Sequence, residues 1–252
     1  MSAKPGGKDL ALALWTWLVL GVISTACFFL QLALVPLTWP FDRNRKITGR
    51  LYRAAAVLIT RLTPLWDFGI AGPLPRTWPT RTVVVGNHCS QADPFLISHL
   101  PWEMKWLGKA SLFRIPIVGW SMYLSGDIAV VRGEKESARG AMAQCAAYLK
   151  RGMPVMIFPE GTRSLTDELG PFKDGAFHLA ISTGADILPI AVHGTASALP
   201  VHDWRFGRAR ARVIVGDPIS TAGMSPEDVP HLKAIVRAEI EALRARLRAQ
   251  LA

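Results

Sequence analysis

A long apolar stretch near the N-terminus places the strongest constraint on how this chain can fold. From Leu10 to Phe41 no residue is charged, and Leu, Val, Trp and Phe predominate as far as Leu37. About 20 apolar residues are enough for a helix to cross a bilayer. The stretch is too long for a signal-peptide core, and no small-residue cleavage site follows it. We expect a membrane-embedded helical segment, either a single span or a hairpin ending at Pro36; a buried core helix is the remaining alternative.

Basic residues dominate the next segment. Arg and Lys side chains from Arg43 to Arg61 are opposed only by Asp42, and the whole chain carries 29 basic and 19 acidic residues, a net charge of +10. This charge calls for an anionic partner, and the apolar stretch favours membrane lipids over nucleic acid. A basic cluster beside an apolar segment is retained on the cytoplasmic side of a membrane. We therefore expect the rest of the chain on the cytoplasmic face.

The basic segment also shows helical periodicity. Apolar residues recur at the spacing of one helix face, at Ile47, Leu51, Ala54, Ala55, Leu58 and Leu62. This pattern predicts an amphipathic helix that either lies in the membrane interface or packs on a globular domain. The three cysteines show no paired spacing, so neither a disulfide framework nor a zinc site is indicated.

The remainder of the chain alternates short β-branched runs with helical stretches, which is typical of an α/β fold. A proline-rich loop from Gly72 to Pro79 marks a boundary, so we divide the chain into a membrane-anchoring helical region at 1–70 and an α/β domain at 71–252. Strands are predicted at 82–85, 105–107, 128–131, 155–158, 187–192 and 212–215. Helices are expected at 137–150, after Phe172, and from a capping-box-like start at Ser225 almost to the C-terminus.

One polar segment follows the first of these strands. The run Thr82–Val85 ends at Gly86, so His88 lies where a strand opens into a loop, and Asp93 followed by Pro94 has the form of a helix N-cap with proline next to it. On a continuous helix the two side chains would point about 140° apart, whereas a turn brings them together. An imidazole held by a carboxylate serves as a general base. We predict that His88 and Asp93 form a catalytic pair without a nucleophile of its own.

Four sequence blocks in order carry a resemblance to a known family. They are Asn87–Asp93, Gly126–Arg132, Phe158–Ser164 (Phe-Pro-Glu-Gly-Thr-Arg-Ser) and Ile187–Thr195. Together they resemble the blocks of the glycerophospholipid acyltransferases, and Phe172–Phe177 is similar to a stretch of the 1-acyl-glycerol-3-phosphate acyltransferases. The resemblance runs from about Val83 to Pro218. It implies a glycerolipid acyltransferase-like α/β sheet flanked by helices, which acylates a lysophospholipid.

The third block also suits a phosphate group on its own chemistry. The turn from Pro159 through Thr162 to Arg163 presents backbone N–H groups and a guanidinium, which binds phosphate through two charge-assisted hydrogen bonds. The resemblance assigns Glu160, Gly161 and Arg163 to a glycerophosphate site. By the same resemblance Lys109 and Arg132 are further phosphate ligands. The alternative for Arg163 is an ion pair with Glu160 or Asp167, and Lys109 and Arg132 would then be ordinary solvated charges.

The activity implied by this resemblance is acyl transfer from a thioester, on acyl-carrier protein or acyl-CoA, to the free hydroxyl of 1-acyl-glycerol-3-phosphate. Phosphatidic acid is the product, and no metal or cofactor is required. Acylation of another lyso-lipid, hydrolysis of a thioester or lipid, and lipid binding without chemistry are the alternatives. A covalent route through Cys89 or Ser90 is a rival mechanism, but the strand-turn-helix elbow of serine hydrolases is absent.

Overall fold

A computed structural model of the protein describes residues 7–164, 168–200 and 203–252. The described strands form one sheet in the order β1-β7-β6-β2-β5-β3-β4, in which β6 and β7 pair antiparallel and every other pair is parallel. The strands are β1 (Trp66–Ala71), β2 (Thr82–Gly86), β3 (Lys105–Lys109), β4 (Ile128–Val130), β5 (Val155–Ile157), β6 (Asp186–His193) and β7 (Ala209–Val215). The helices are α1 (Gly7–Thr38), α2 (Lys46–Leu62), α3 (Asp93–Ile97), α4 (Val118–Ser125), α5 (Lys135–Lys150), α6 (Gly175–Thr183) and α7 (Val229–Leu251).

The α/β class and all six predicted strands are confirmed, but strand β1 was missed. Its sequence, Trp-Asp-Phe-Gly-Ile-Ala, follows closely on α2 and has no β-branched run, and the alternation of Trp66, Phe68 and Ile70 is short. It pairs parallel with β7, from Trp66 opposite Ala209 to Ala71 opposite Ile214. Strand β1 therefore crosses the predicted boundary at 70/71, and the division of the chain at that point stays a prediction.

The central strand β2 is buried on both faces, as expected for a parallel sheet covered by helices. Val83 and Val85 face a core formed with α5, α6 and α7, whereas Val84 faces a second core that includes Leu96 and Ile97 of α3. Strands β5 and β6 flank β2 on its two sides. This position places the carboxyl end of β2 in the middle of the sheet, and the loop that contains His88 begins there.

The N-terminal apolar stretch is one continuous helix, α1, rather than a hairpin, and Pro36 lies inside its last turn. Within Leu10–Thr38 an 18-residue window has a mean hydropathy of 2.4 and only 22% of it is buried, so α1 is long and apolar enough to cross a membrane and is not a buried core helix. One face of α1 packs on the protein through a regular series of buried residues, namely Ala13, Thr16, Val19, Ser24, Cys27 and Gln31.

The predicted amphipathic helix is α2, and its apolar face is divided between the two expected roles. Ala55 and Ile59 are buried against the rest of the protein, whereas Ile47, Leu58 and Leu62 are exposed. Trp15 of α1 donates its indole N–H to the carbonyl of Leu62 at 2.8 Å. The two N-terminal helices are therefore packed on the α/β domain and on each other.

A buried charge cluster joins these helices to the sheet. Arg53 of α2 contacts both carboxylate oxygens of Asp127, at 2.5 and 2.6 Å, and the ammonium of Lys105 donates to Glu103 at 2.9 Å. Lys105 also donates to the carbonyls of Arg45 and Ser125. All four charged side chains are nearly or fully buried. Each cation is paired with a carboxylate, which is the condition under which buried charges are tolerated.

Candidate active site

The structure brings His88 and Asp93 together as the sequence predicts. The Nδ1 atom of His88 lies 2.7 Å from Oδ2 of Asp93, whose side chain is fully buried. The polypeptide reverses direction between the two residues, because Ser90 to Asp93 form a turn closed by a hydrogen bond from the Asp93 N–H to the Ser90 carbonyl. With Nδ1 engaged by the carboxylate, the other ring nitrogen, Nε2, is the one that can accept a proton from a substrate.

The carboxylate of Asp93 is held by more groups than the imidazole. It accepts the backbone N–H groups of Cys89 and Ser90 at 2.8 and 2.9 Å. The expected N-cap role is therefore wrong: Asp93 is the first residue of α3, its side chain makes no cap, and it reaches back into the preceding turn instead. The hydroxyl of Thr195, which follows β6, donates to the second oxygen, Oδ1. Donors on both oxygens fix the plane of the carboxylate and thus the orientation of the imidazole.

Phe158 and the third block complete the surroundings of His88. The Phe158 ring stacks on the imidazole with centroids 4.2 Å apart and an angle of 15° between the planes. The N–H of His88 donates to Glu160, and its carbonyl accepts the N–H of Ser164 at 2.8 Å. The loop after β2 and the loop after β5 therefore position the His88 imidazole jointly.

Glu160 supports the loops around His88, and its assignment to the glycerophosphate site stays a prediction. Its carboxylate is buried, and the two oxygens accept the N–H groups of His88 and Gly170 at 2.9 and 2.8 Å. Because both of its oxygens accept backbone N–H groups, the Glu160 carboxylate joins the loop that contains His88 to the loop that contains Gly170. Asp167, the other partner considered for Arg163, lies outside the described residues.

The predicted phosphate ligands meet at one edge of the sheet. Lys109 ends β3, Arg132 follows β4, and the turn holding Thr162 and Arg163 follows β5. These three strands are neighbours and run parallel, so their carboxyl ends open on the same side as the carboxyl end of β2. Ligands of open α/β sheets bind at this edge. Lys109 and Arg132 are exposed and Arg163 is half-buried, so all three cations are accessible there.

Gly161 occupies a position that only glycine fills without strain. Its φ is 68°, and a Cβ atom there would lie 2.8 Å from the ammonium nitrogen of Lys173. The Lys173 N–H donates to the carbonyl of Pro159 at 2.9 Å. Lys173 is therefore a further cation beside the turn. No role was predicted for Lys173 from the sequence, although it falls in the stretch that resembles the acyltransferases.

Cys89 is poorly placed to act as a nucleophile. Its thiol lies 3.6 Å from Oδ1 of Asp93 and 3.2 Å from the hydroxyl of Thr195. Burial raises the pKa of the Cys89 thiol well above its usual value, and the Asp93 charge raises it further. A thiol of that kind is not ionised at neutral pH, and only the thiolate is strongly nucleophilic. Among the described residues, no group of three or more His, Cys, Asp or Glu side chains is arranged to hold a metal ion.

Thr195 is the residue of the site that the sequence did not single out. It belongs to the fourth block, which the resemblance brought in only as part of a family pattern, and it is fully buried. Asn87 fixes the same region, because its amide exchanges two hydrogen bonds with the backbone of Val192 at 2.9 and 3.0 Å. These bonds attach the end of β2 to the end of β6, which brings Thr195 to Asp93. Thr195 and Asp93 are far apart in sequence, so no local sequence pattern indicates their contact.

Comparison with known proteins identifies the family. A family model described as Acyltransferase matches residues 74–193. The 1-acyl-sn-glycerol-3-phosphate acyltransferase of Haemophilus influenzae is 32% identical over 179 residues, which cover 69% of this chain and 73% of that protein. The chain belongs to the 1-acyl-sn-glycerol-3-phosphate acyltransferase family. The resemblance stated from the four blocks is thereby confirmed.

Other relatives differ more in length. A Chlamydomonas reinhardtii protein named as a 1-acyl-sn-glycerol-3-phosphate acyltransferase is 34% identical over 198 residues, which cover 77% of this chain and 58% of the algal protein. The chloroplastic Brassica napus member is 33% identical, covering 80% of this chain and 59% of its own length. This chain thus spans less than three fifths of these two relatives.

The fold of the family member from Thermotoga maritima, the LPA acyltransferase PlsC, is similar over almost the whole molecule. Its crystal structure superposes with a TM-score of 0.73 and covers 94% of this chain and 97% of that one, at 22% sequence identity. This similarity confirms the predicted class, a mixed sheet flanked by helices with an apolar N-terminal helix.

Proposed function

We propose that this protein transfers a fatty acyl group from a thioester to the free hydroxyl of 1-acyl-glycerol-3-phosphate, forming phosphatidic acid. The observation that supports this most strongly is the pairing of His88 with Asp93 at the sheet edge where Lys109, Arg132 and Arg163 converge. A site that acylates a phosphorylated alcohol needs a general base to remove the hydroxyl proton and cations to bind the phosphate. The names of the relatives in the previous subsection agree with this substrate.

In the proposed reaction His88 is the general base. Its Nε2 removes the proton from the acceptor hydroxyl as that oxygen attacks the thioester carbonyl and forms the new C–O bond. Collapse of the tetrahedral intermediate breaks the C–S bond, and the imidazolium returns the proton to the departing thiolate. Asp93 stabilises the imidazolium and holds the ring in one tautomer. No metal or cofactor takes part, and the substrate itself supplies the nucleophile.

The oxyanion of the intermediate needs hydrogen-bond donors. Several N–H groups near the base are already used: that of His88 by Glu160, those of Cys89 and Ser90 by Asp93, and that of Ser164 by the His88 carbonyl. The oxyanion must therefore be stabilised by donors other than these four groups.

Phosphate binding is assigned to the cations at the carboxyl ends of β3, β4 and β5. Arg163 is the strongest candidate, because the Ser164 N–H fixes its turn against His88 and a guanidinium binds a phosphate in a bidentate manner. Lys109 and Arg132 add charge from the neighbouring strands, and Thr162 lies on the exposed side of the same turn. Gly161 allows the turn to form, and Glu160 supports it.

The acyl donor is either acyl-carrier protein or acyl-CoA, since both carry the thioester that the mechanism needs. We place the enzyme on membrane lipids with its active domain on the cytoplasmic face. This placement rests on the apolar helix α1 and on the basic residues that follow it, from Arg43 to Arg61.

The decisive experiment measures product with purified protein, a long-chain acyl thioester, and either lysophosphatidic acid, another lyso-lipid or no acceptor. We expect phosphatidic acid only when lysophosphatidic acid is present. A His88→Ala variant should lose about 10² to 10⁴-fold in rate while keeping the thermal unfolding midpoint, since a base is lost and no core residue is removed.

The same assay separates the alternatives. Release of free fatty acid without acceptor would indicate a hydrolase. Binding of lysophosphatidic acid without product would indicate a lipid-binding protein. Turnover by folded His88→Ala protein near the wild-type rate would reject the mechanism.

A further inference from the structure

The segment between β3 and β4, Leu112–Tyr123, exposes a group of large apolar side chains. Leu112, Ile115, Trp120 and Tyr123 are between 36% and 52% exposed. Single exposed apolar residues are normal on soluble proteins, but several on one short segment are not. This segment lies outside the four sequence blocks and takes no part in the proposed chemistry.

The segment is continuous with the apolar face of α1. The rings of Trp120 and Phe28 contact each other with centroids 5.6 Å apart, and the buried amide of Gln31 donates to the carbonyl of Ser121. On α1 the neighbouring residues Phe29 and Leu32 are exposed. The exposed apolar surface of α1 therefore extends onto the globular part of the protein at this point.

The backbone of the segment is held in a fixed and unusual conformation. Ile117 has φ of 66°, which is rare for a β-branched residue and strains the backbone. Two bonds hold this turn, from the Val118 N–H to the Pro116 carbonyl at 2.7 Å and from the Gly119 N–H to the Ile115 carbonyl at 2.8 Å. A Cβ atom at Gly119 would lie 2.4 Å from the Leu112 carbonyl oxygen. The loop that presents Ile115 is thus tightly packed on itself.

We infer that Leu112–Tyr123 inserts into the lipid bilayer beside α1, as a second membrane contact contributed by the α/β domain. Continuity with the exposed face of α1 identifies the partner as lipid. Aromatic side chains such as Trp120 and Tyr123 are favoured at the level of the headgroups. The exposed Arg114 within the segment suits anionic headgroups, as does the basic run that begins at Arg43.

Depth-dependent fluorescence quenching tests this inference. The full-length chain, in a Cys89→Ser background because Cys27 and Cys145 are buried, receives one new cysteine that is labelled with an environment-sensitive fluorophore. The test positions are Ile115 and, in case that variant folds poorly, Leu112. The matched controls are Leu18, exposed on α1, and Ile235, exposed on α7 across the sheet. Each protein is reconstituted into phosphatidylcholine–phosphatidylglycerol vesicles whose acyl chains carry bromine.

We expect the label at position 115 to be quenched by bromolipid to an extent comparable with the label at 18, and to be shielded from aqueous iodide. The label at 235 should be quenched by iodide alone. If the label at 115 behaves like that at 235, the inference is wrong. Shielding from iodide without bromolipid quenching would show that protein, such as a second copy of the chain, covers the segment, and this outcome would also overturn the inference. None of these readouts depends on enzymatic activity.

Discussion

The buried pair of Arg53 and Asp127 allows a quantitative test of how the N-terminal helices are attached to the rest of the protein. We consider the substitution Arg53→Met, which removes the guanidinium but keeps an unbranched apolar side chain of similar length. The Arg53 and Asp127 side chains are 12% and 0% exposed, and two contacts of 2.5 and 2.6 Å join them. After the substitution Asp127 keeps its bond from the Trp106 N–H at 3.0 Å but has lost its cation.

The expected loss follows from the burial of the remaining charge. Removing one partner of a buried ion pair costs about 3–5 kcal/mol, because the other partner stays desolvated. The Arg53 guanidinium also lies 5.0 Å from the centre of the Trp106 ring, so a cation–π contact is lost as well. For a chain of this size such a loss lowers the unfolding midpoint by roughly 10 °C.

The matched control is Lys233→Met, which breaks the exposed pair with Asp174. That pair has a contact of 2.6 Å, as short as the buried one, but its side chains are 33% and 53% exposed. An exposed pair contributes about 1 kcal/mol or less. Urea and thermal unfolding of both variants and the wild type, in mild detergent, measure the stability that each ion pair contributes. Because the two pairs have almost the same contact distance, the difference reports the effect of burial.

A double variant, Arg53→Met with Asp127→Asn, completes the test. Since the main cost is the unpaired carboxylate, neutralising it should recover part of the stability lost in Arg53→Met. The reasoning fails if Arg53→Met destabilises no more than Lys233→Met, or if the double variant is less stable than the single one.

Three further predictions concern the site. Arg163→Ala should raise the KM for the phosphate-bearing acceptor by roughly ten to a hundredfold and leave the KM for the acyl donor almost unchanged, because a charged hydrogen bond contributes about 1.5–3 kcal/mol; an unchanged acceptor KM would reject the phosphate assignment. Thr195→Val should lower kcat about tenfold with little change in KM, because it removes the hydroxyl that donates to Asp93. Thr195→Ser keeps a hydroxyl and should retain a kcat near that of the wild type; equal loss in both variants would indicate a packing role. Cys89→Ala should stay active, and iodoacetamide should modify native Cys89 only slowly at neutral pH and faster at high pH, because burial raises its pKa; trapping of an acyl-cysteine would reverse this conclusion.

Much of the sheet could be predicted from sequence because each strand carries its own local signal. Thr82–Val85 and Ile187–Val192 are apolar runs, and a strand buried on both faces needs no more than that. The helix starting near Ser225 was equally clear, because the capping box between Ser225 and Asp228 is formed by residues adjacent in sequence. Strand β1 was missed because Trp66, Phe68 and Ile70 alternate over only six residues and follow closely on the helical pattern of α2.

The contact between His88 and Asp93 could be predicted because the two residues lie within a single turn. The groups that support the pair could not, since they arrive from distant strands. Thr195 reaches Asp93 only because β6 lies beside β2, and the strand order of the sheet cannot be read from residue patterns. Glu160 was placed in the right loop, but its carboxylate points inward to the His88 and Gly170 N–H groups. Sequence patterns indicate which residues are near a site more reliably than the direction in which they point.

The buried charge cluster connects the two N-terminal helices to the edge of the sheet that we propose binds phosphate. Lys105, whose ammonium donates to the Arg45 carbonyl at the start of α2, begins the same strand, β3, that ends at Lys109. Gly49 of α2 lies so close to this cluster that a Cβ atom there would be 2.1 Å from the Glu103 carboxylate. These contacts join helix α2 to strand β3, and α2 in turn contacts α1 through the bond from the Trp15 indole to the Leu62 carbonyl. We therefore expect the orientation of α1 to be coupled, through this buried cluster, to the orientation of the cations proposed to bind the acceptor.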